Sequence, residues 1–197
     1  KKARLAVEYA LEKKIDYLTL FAFSTENWLR EEVEVRDLIS LFFDALEEQT
    51  PELREEKVKL NFIGDISRFN KKLIKQIEKS TRLTEEYEPR LNLIIAASYG
   101  GKWDIINAVK KFHADKNNKE LNENSLENYL ETKSFPNPDL IIRSGGEKRL
   151  SNFYLWQSSY SELFFSDKLW PDFSAKDFDI ALEDFLSRKR KFGVETG

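Results

Sequence analysis
The sequence predicts an α/β fold, a single domain with a mostly parallel central sheet flanked by helices. Three observations predict it. Short, dense apolar runs alternate along the chain with stretches that are apolar at helical spacing. Those runs are apolar at consecutive positions, the pattern of strands covered on both faces. The 197 residues, 41% hydrophobic, are enough for one sizeable core, and no repeat or linker divides them.

Each element has its own signal. Ala3, Ala6, Val7, Ala10 and Leu11 form a helical stripe over 3–14, and "IDYLTLFAF" (15–23) reads as a buried strand. Val35, Leu38, Ile39, Phe42 and Leu46 mark a second helix, expected to end before Pro51. "KVKLNFIG" (57–64) is a strand closing on Gly64, Leu73 and Ile77 mark a third helix, and "LNLIIAAS" (91–98) is a third strand. A helix follows from about Trp103 to Phe112, and the polar "HADKNNKELNENS" (113–125) reads as a surface loop. "DLIIRSG" (139–145) and "SELFFSD" (161–167) are further strands, and Phe178, Leu182, Phe185 and Leu186 line a C-terminal helix.

Composition removes several classes of function. A net charge of −3 and a pI near 5.5 argue against a general nucleic-acid surface, so phosphate binding would need a local basic cluster. Cysteine is absent and His113 is the single histidine, which excludes a disulfide framework and a thiolate or multi-histidine zinc site. No apolar run approaches a membrane span and no signal peptide is visible, so a reducing, cytoplasmic setting is expected.

In open parallel sheets, ligands sit beyond the carboxyl ends of the strands. The polar tails there are "STENWLR", "GDISRFN", "SYGGKWD" and "RSGGEKRLS", which should share one rim. In the last, Arg143 and Arg149 can present forked donors to phosphate oxygens, Ser151 adds a hydroxyl, and Gly145 and Gly146 permit close backbone approach. The alternative is a glycine turn whose arginines pair with Glu147 or Asp139. In the first tail, Asn27 and Arg30 are ligand candidates, Ser24 and Thr25 are substrate contacts or helix N-caps, and Trp28 covers an apolar ligand or the core. Glu162, acidic within "YSELFF", either needs a cation, magnesium beside a diphosphate or an arginine, or is turned to solvent by the strand alternation. Ala22, Leu38, Phe42 and Leu93 are candidates for lining an apolar tunnel.

Four motifs then point one way. "FAFSTENW", "IGDISRFN", "SYGGKWDI" and "IIRSGGEKRLSNFYLWQSSYSELFF…LWPDF" resemble the cis-prenyltransferases, most of all the bacterial undecaprenyl diphosphate synthases, in register across nearly the whole chain. The resemblance implies successive cis condensation of isopentenyl diphosphate onto an allylic diphosphate such as farnesyl diphosphate, with Mg2+, in a homodimer. A peripheral membrane contact for product release is compatible with it.

By position it implies that Arg143, Arg149, Leu150 and Ser151 cradle isopentenyl diphosphate and that Glu162 is a magnesium-associated carboxylate. It likewise implies that Asn27 assists proton removal, with Ser24, Thr25, Glu26, Trp28 and Arg30 as substrate contacts. The elongating chain is expected to enter a tunnel between the second and third helices and the sheet.

Three departures accompany the resemblance. The family's first motif, an Asp-Gly-Asn-Gly-Arg loop after an N-terminal strand, does not occur in these residues. That loop carries a magnesium carboxylate and the allylic phosphate cradle, and the N-terminal part of the domain is expected to precede Lys1. "LREEVEV" lacks the usual proline after Arg30, and Lys191 stands where many relatives have arginine. The second reading the sequence leaves open is a non-catalytic family member that binds and stabilises an active partner.

Overall fold
The computed structural model describes residues 2–117 and 120–190. Its helices are α1 (Lys2–Glu12), α2 (Glu32–Glu55), α3 (Lys71–Leu83), α4 (Gly101–Ala114), α5 (Glu123–Glu127) and α6 (Ala175–Ser187). Its strands are β1 (Tyr17–Ser24), β2 (Val58–Ile63), β3 (Leu91–Tyr99), β4 (Leu140–Arg143) and β5 (Glu162–Phe165). Among the described residues every pairing is parallel, in two ladders, β1-β3-β2 and β4-β5. The single sheet expected from the sequence is thus divided. Among the described residues, β1 and β4 each have a strand partner on one side only.

β3 is the central strand of its ladder, and its alternation distributes the core. Leu91, Leu93, Ile95 and Ala97 join Val7, Leu46, Leu60 and Leu73 on one side of the sheet. Ile94 and Ala96 join Ile63, Ile141 and Tyr154 on the other. Both faces are covered, which is why the strand reads as continuously apolar. At the end of β2, Gly64 has φ +115°, and a Cβ there would fall 2.1 Å from the Ala97 carbonyl oxygen. Only glycine permits that approach, which lets Asp65 N–H donate to Ser98 O at 3.1 Å.

Two elements differ from expectation. α2 runs through Pro51 to Glu55. An interior proline costs roughly 3 kcal/mol. Here Leu46, Thr50 and Leu53 form one buried stripe across it, and Thr50 Oγ1 donates to Leu46 O and to Ser80 Oγ at 2.8 Å. Burying Leu53 alone is worth about 1.5–3 kcal/mol, so tertiary packing offsets the break. The 113–125 segment also holds local structure: His113 belongs to α4, and Asn122 caps α5 by accepting from Ser125 N at 2.9 Å. No helix among the described residues is long and apolar enough to cross a membrane.

Candidate active site
A cavity of about 780 Å³ runs under α2 and along β1. Ala3 and Val7 of α1, Leu38 to Leu53 of α2, and apolar residues of β1, β2 and β3 line it, including Ala22, Leu38, Phe42 and Leu93. Its wall is therefore α1 and α2, where the sequence suggested the second and third helices. None of the lining residues comes from α3, whose Leu73 and Ile77 pack into the core beside it. The cavity continues into the space between the two ladders, where Thr19 and Phe21 of β1 face Ile142 and Arg143 of β4.

Its polar end is the loop after β4. Arg143, Arg149, Leu150 and Ser151 all line it, so these four expected cradle residues converge. Arg143 is fixed in place: Nη1 donates to the Arg149 carbonyl oxygen and to Ser151 Oγ at 2.5 Å. Gly145 and Gly146 have positive φ, and their N–H groups donate to Lys168 O at 2.7 Å and Ser166 O at 2.9 Å, tying the loop to the end of β5. Arg149 pairs with Glu147 at a largely exposed site, as the glycine-turn reading anticipated, whereas Asp139 pairs with Arg190 instead. The turn thus holds its arginines with neighbouring groups, and both arginines also line the cavity.

The tail after β1 forms a 3₁₀ turn, Thr25–Leu29. Asn27 Oδ1 accepts from Ser24 N–H at 2.7 Å. That bond uses one of the two lone pairs of Oδ1, and Nδ2 remains a donor. Glu26 accepts from Asn152 Nδ2 at 2.7 Å and from Thr25 Oγ1 at 3.1 Å. Burial pushes its carboxyl up, but the bonds from Asn152, its own backbone, Thr25 and Ser24 together hold it below its ordinary value. Trp28 belongs to the core: its ring meets Phe23 and Phe69, and Nε1 donates to Ser98 Oγ at 2.9 Å. Arg30 pairs with Glu34 one helical turn on. Of the sequence's alternatives, Trp28 takes the core role.

Glu162 sits elsewhere. The β4–β5 register sets Leu140 opposite Glu162 and Arg143 opposite Phe165. Three residues of strand, about 10 Å at ~3.3 Å each, separate Glu162 from the level of Arg143. Its carboxylate accepts from Arg188 Nη1 at 2.6 Å, and Arg188 also holds Asp184 at 2.6 Å. Among the described residues no group of three or more histidine, cysteine, aspartate or glutamate side chains is placed to hold a metal ion. Lys191 lies outside the described residues.

Several residues escaped the sequence reading. Asp104, 1% exposed, accepts from Tyr99 Oη at 3.0 Å, Gln157 Nε2 at 3.1 Å and Glu131 N–H at 2.9 Å. Burial raises its pKa despite those three donors. Tyr154, whose hydroxyl lies 3.1 Å from Thr19 Oγ1, has its pKa pushed up by burial to about 12. Asn152 joins two rim segments, but a polar residue in a glycine loop carries no signal of that.

Comparisons with known proteins bear on this arrangement. Residues 1–193 match the family model described as "Putative undecaprenyl diphosphate synthase". The farnesyl-diphosphate-specific ditrans,polycis-undecaprenyl-diphosphate synthase of Coxiella burnetii is 46% identical over 98% of this chain and 84% of its own length. A probable undecaprenyl diphosphate synthase of Campylobacter jejuni, known from its crystal structure, superposes with a TM-score of 0.89 at 36% identity, over 98% of this chain and 90% of that one. Lavandulyl diphosphate synthase of Lavandula x intermedia, solved with dimethylallyl diphosphate, gives 0.92 at 34% identity, over 98% and 85%. With the parallel α/β architecture and the arginine-flanked loop at the mouth of an apolar cavity, these matches show that the chain belongs to the undecaprenyl diphosphate synthase family of prenyltransferases.

Proposed function
We propose that the protein elongates farnesyl diphosphate by successive cis condensations with isopentenyl diphosphate, giving a long polyprenyl diphosphate of the undecaprenyl class. The observation that carries this reading is the cavity: apolar along α1, α2 and the sheet, and ending at Arg143, Arg149 and Ser151. Such a site suits an amphiphile with a hydrocarbon tail and a doubly charged phosphate head. The names of the relatives supply the identity of the allylic substrate.

In each cycle the C–O bond of the allylic diphosphate breaks, the double bond of isopentenyl diphosphate attacks the resulting cationic carbon, and one proton leaves. Arg143, Arg149 and Ser151 hold the diphosphate of the nucleophile, which stays intact. Positioning of the two reactants accounts for much of the rate. Asn27 acts as an orienting donor. A neutral amide is a poor general base, and its Oδ1 already accepts from Ser24 N–H. The apolar lining keeps water from the cationic carbon and receives the lengthening chain.

Magnesium, which would draw charge toward the leaving diphosphate, is proposed on the family relation alone. Glu162 is its candidate carboxylate here and would have to give up Arg188, so no step above depends on it. The homodimer, the cytoplasmic setting and a single domain across 1–197 are likewise proposed from the family relation. The test is incubation of the full-length protein with farnesyl diphosphate, labelled isopentenyl diphosphate and magnesium. Labelled polyprenyl product carrying many added units is expected. No incorporation overturns the enzymatic reading and leaves a binding subunit.

A further inference from the structure
Asn152 directly follows Ser151, the residue whose hydroxyl accepts from Arg143. Its backbone sits at φ +62°, a left-handed conformation that asparagine tolerates better than most residues. From there it makes three bonds to two other rim segments. Its carbonyl oxygen accepts from Gly101 N–H at 2.6 Å, and its Oδ1 accepts from Lys102 N–H at 2.9 Å, both at the start of α4. Its Nδ2 donates to Glu26 Oε1 at 2.7 Å, in the turn that carries Asn27. Gly100 makes the approach possible: a Cβ there would fall 2.6 Å from Asn152 Nδ2 and 2.5 Å from Thr25 Oγ1.

We propose that Asn152 is a positioning residue that sets the separation between the diphosphate loop (Arg143, Arg149, Ser151) and the Asn27 turn, and so the approach of the two reactants. This inference rests on the prenyl-transfer reading. The geometry is that of a strut. One amide spans the gap with a donor at one end and an acceptor at the other, and its backbone is continuous with Ser151. Neither Arg143 nor Asn27 is touched directly, so loss of the strut changes their spacing and leaves their chemistry intact. A misplacement of about 1 Å in such a centre costs on the order of 100-fold in rate.

The test is a reciprocal exchange in the full-length enzyme. Asn152→Asp sets a carboxylate against Glu26, and Asn152→Gly removes the strut while tolerating the left-handed backbone. Glu26→Gln with Asn152→Asp restores the bond with donor and acceptor reversed, and the aspartate can still accept from Lys102 N–H. Each Asn152 single variant should lower kcat by about 10- to 100-fold, with a much smaller change in KM for isopentenyl diphosphate. The double variant should return to within about fivefold of wild type, a coupling far from additive. In Asn152→Asp alone, kcat should recover partly as pH falls, because one shared proton re-forms the bond. Variants that melt earlier but keep kcat, or a double variant no better than the product of the singles, would overturn the proposal. Wild-type protein that makes no polyprenyl product would instead sink the prenyl-transfer reading, a separate outcome.

Discussion

Replacing Arg143 with alanine should weaken capture of isopentenyl diphosphate far more than that of farnesyl diphosphate. The magnitude follows from how Arg143 is held. Nη1 is committed to the Arg149 carbonyl oxygen and to Ser151 Oγ, which leaves Nη2 and Nε as the remaining guanidinium donors for a phosphate oxygen. One charge-assisted hydrogen bond is worth about 1.5–3 kcal/mol. At about 1.4 kcal/mol per tenfold, the loss corresponds to a rise of roughly 10- to 150-fold in KM. This is a lower bound, because alanine also frees the Ser151 hydroxyl and the loop carbonyl that Arg143 organises. Arg143→Lys keeps the charge but not the planar fork, and should fall between wild type and alanine. Steady-state kinetics with each substrate varied in turn, the other saturating, reads the split. Equal rises in the two KM values would refute the assignment of this loop to the unreacted diphosphate. An unchanged KM for isopentenyl diphosphate would remove Arg143 from the site altogether.

Two other substitutions probe the tail of the cavity and the ion pair on β5. Ala45 lines the cavity from α2, so Ala45→Trp should shorten the product, at an overpacking cost of about 1–3 kcal/mol. Mass spectrometry of the polyprenyl product checks this, and an unaltered length distribution would count against the cavity as the path of the chain. Glu162→Gln removes the charged partner of Arg188, which keeps Asp184, so stability should drop by about 1 kcal/mol for this partly buried pair. The magnesium titration of activity should move to higher concentration. A superimposable titration would leave Glu162 with its ion-pair role only.

Much of the fold was legible because local pattern and tertiary environment agree. β3 is buried on both faces, so "LNLIIAAS" carries no alternation and reads as a central parallel strand. α3 is amphipathic because one face meets the sheet and the other meets solvent. The four polar tails at strand ends likewise announced the rim. Pro51 misled because a local penalty of about 3 kcal/mol was weighed without the buried stripe of Leu46, Thr50 and Leu53 that overrides it. Trp28 stayed ambiguous because an aromatic over a ligand and an aromatic over a core have the same periodicity. Only its bond to Ser98 and its contacts with Phe23 and Phe69 separate the two.

By itself the sequence determined the class of fold, the order of its elements and the residue types able to hold a diphosphate. Those depend on hydrophobic period and side-chain chemistry, which are properties of short stretches. The tertiary structure alone decided which of those residues meet. It drew Arg143, Arg149 and Ser151 to the mouth of the cavity, left Glu162 about 10 Å down the strand with Arg188, and linked Asn152 to Glu26. Residues 126 positions apart, such as Glu26 and Asn152, share no sequence signal. Their proximity is set by strand register and by the space that Gly100 leaves open, and both exist only once the chain has folded.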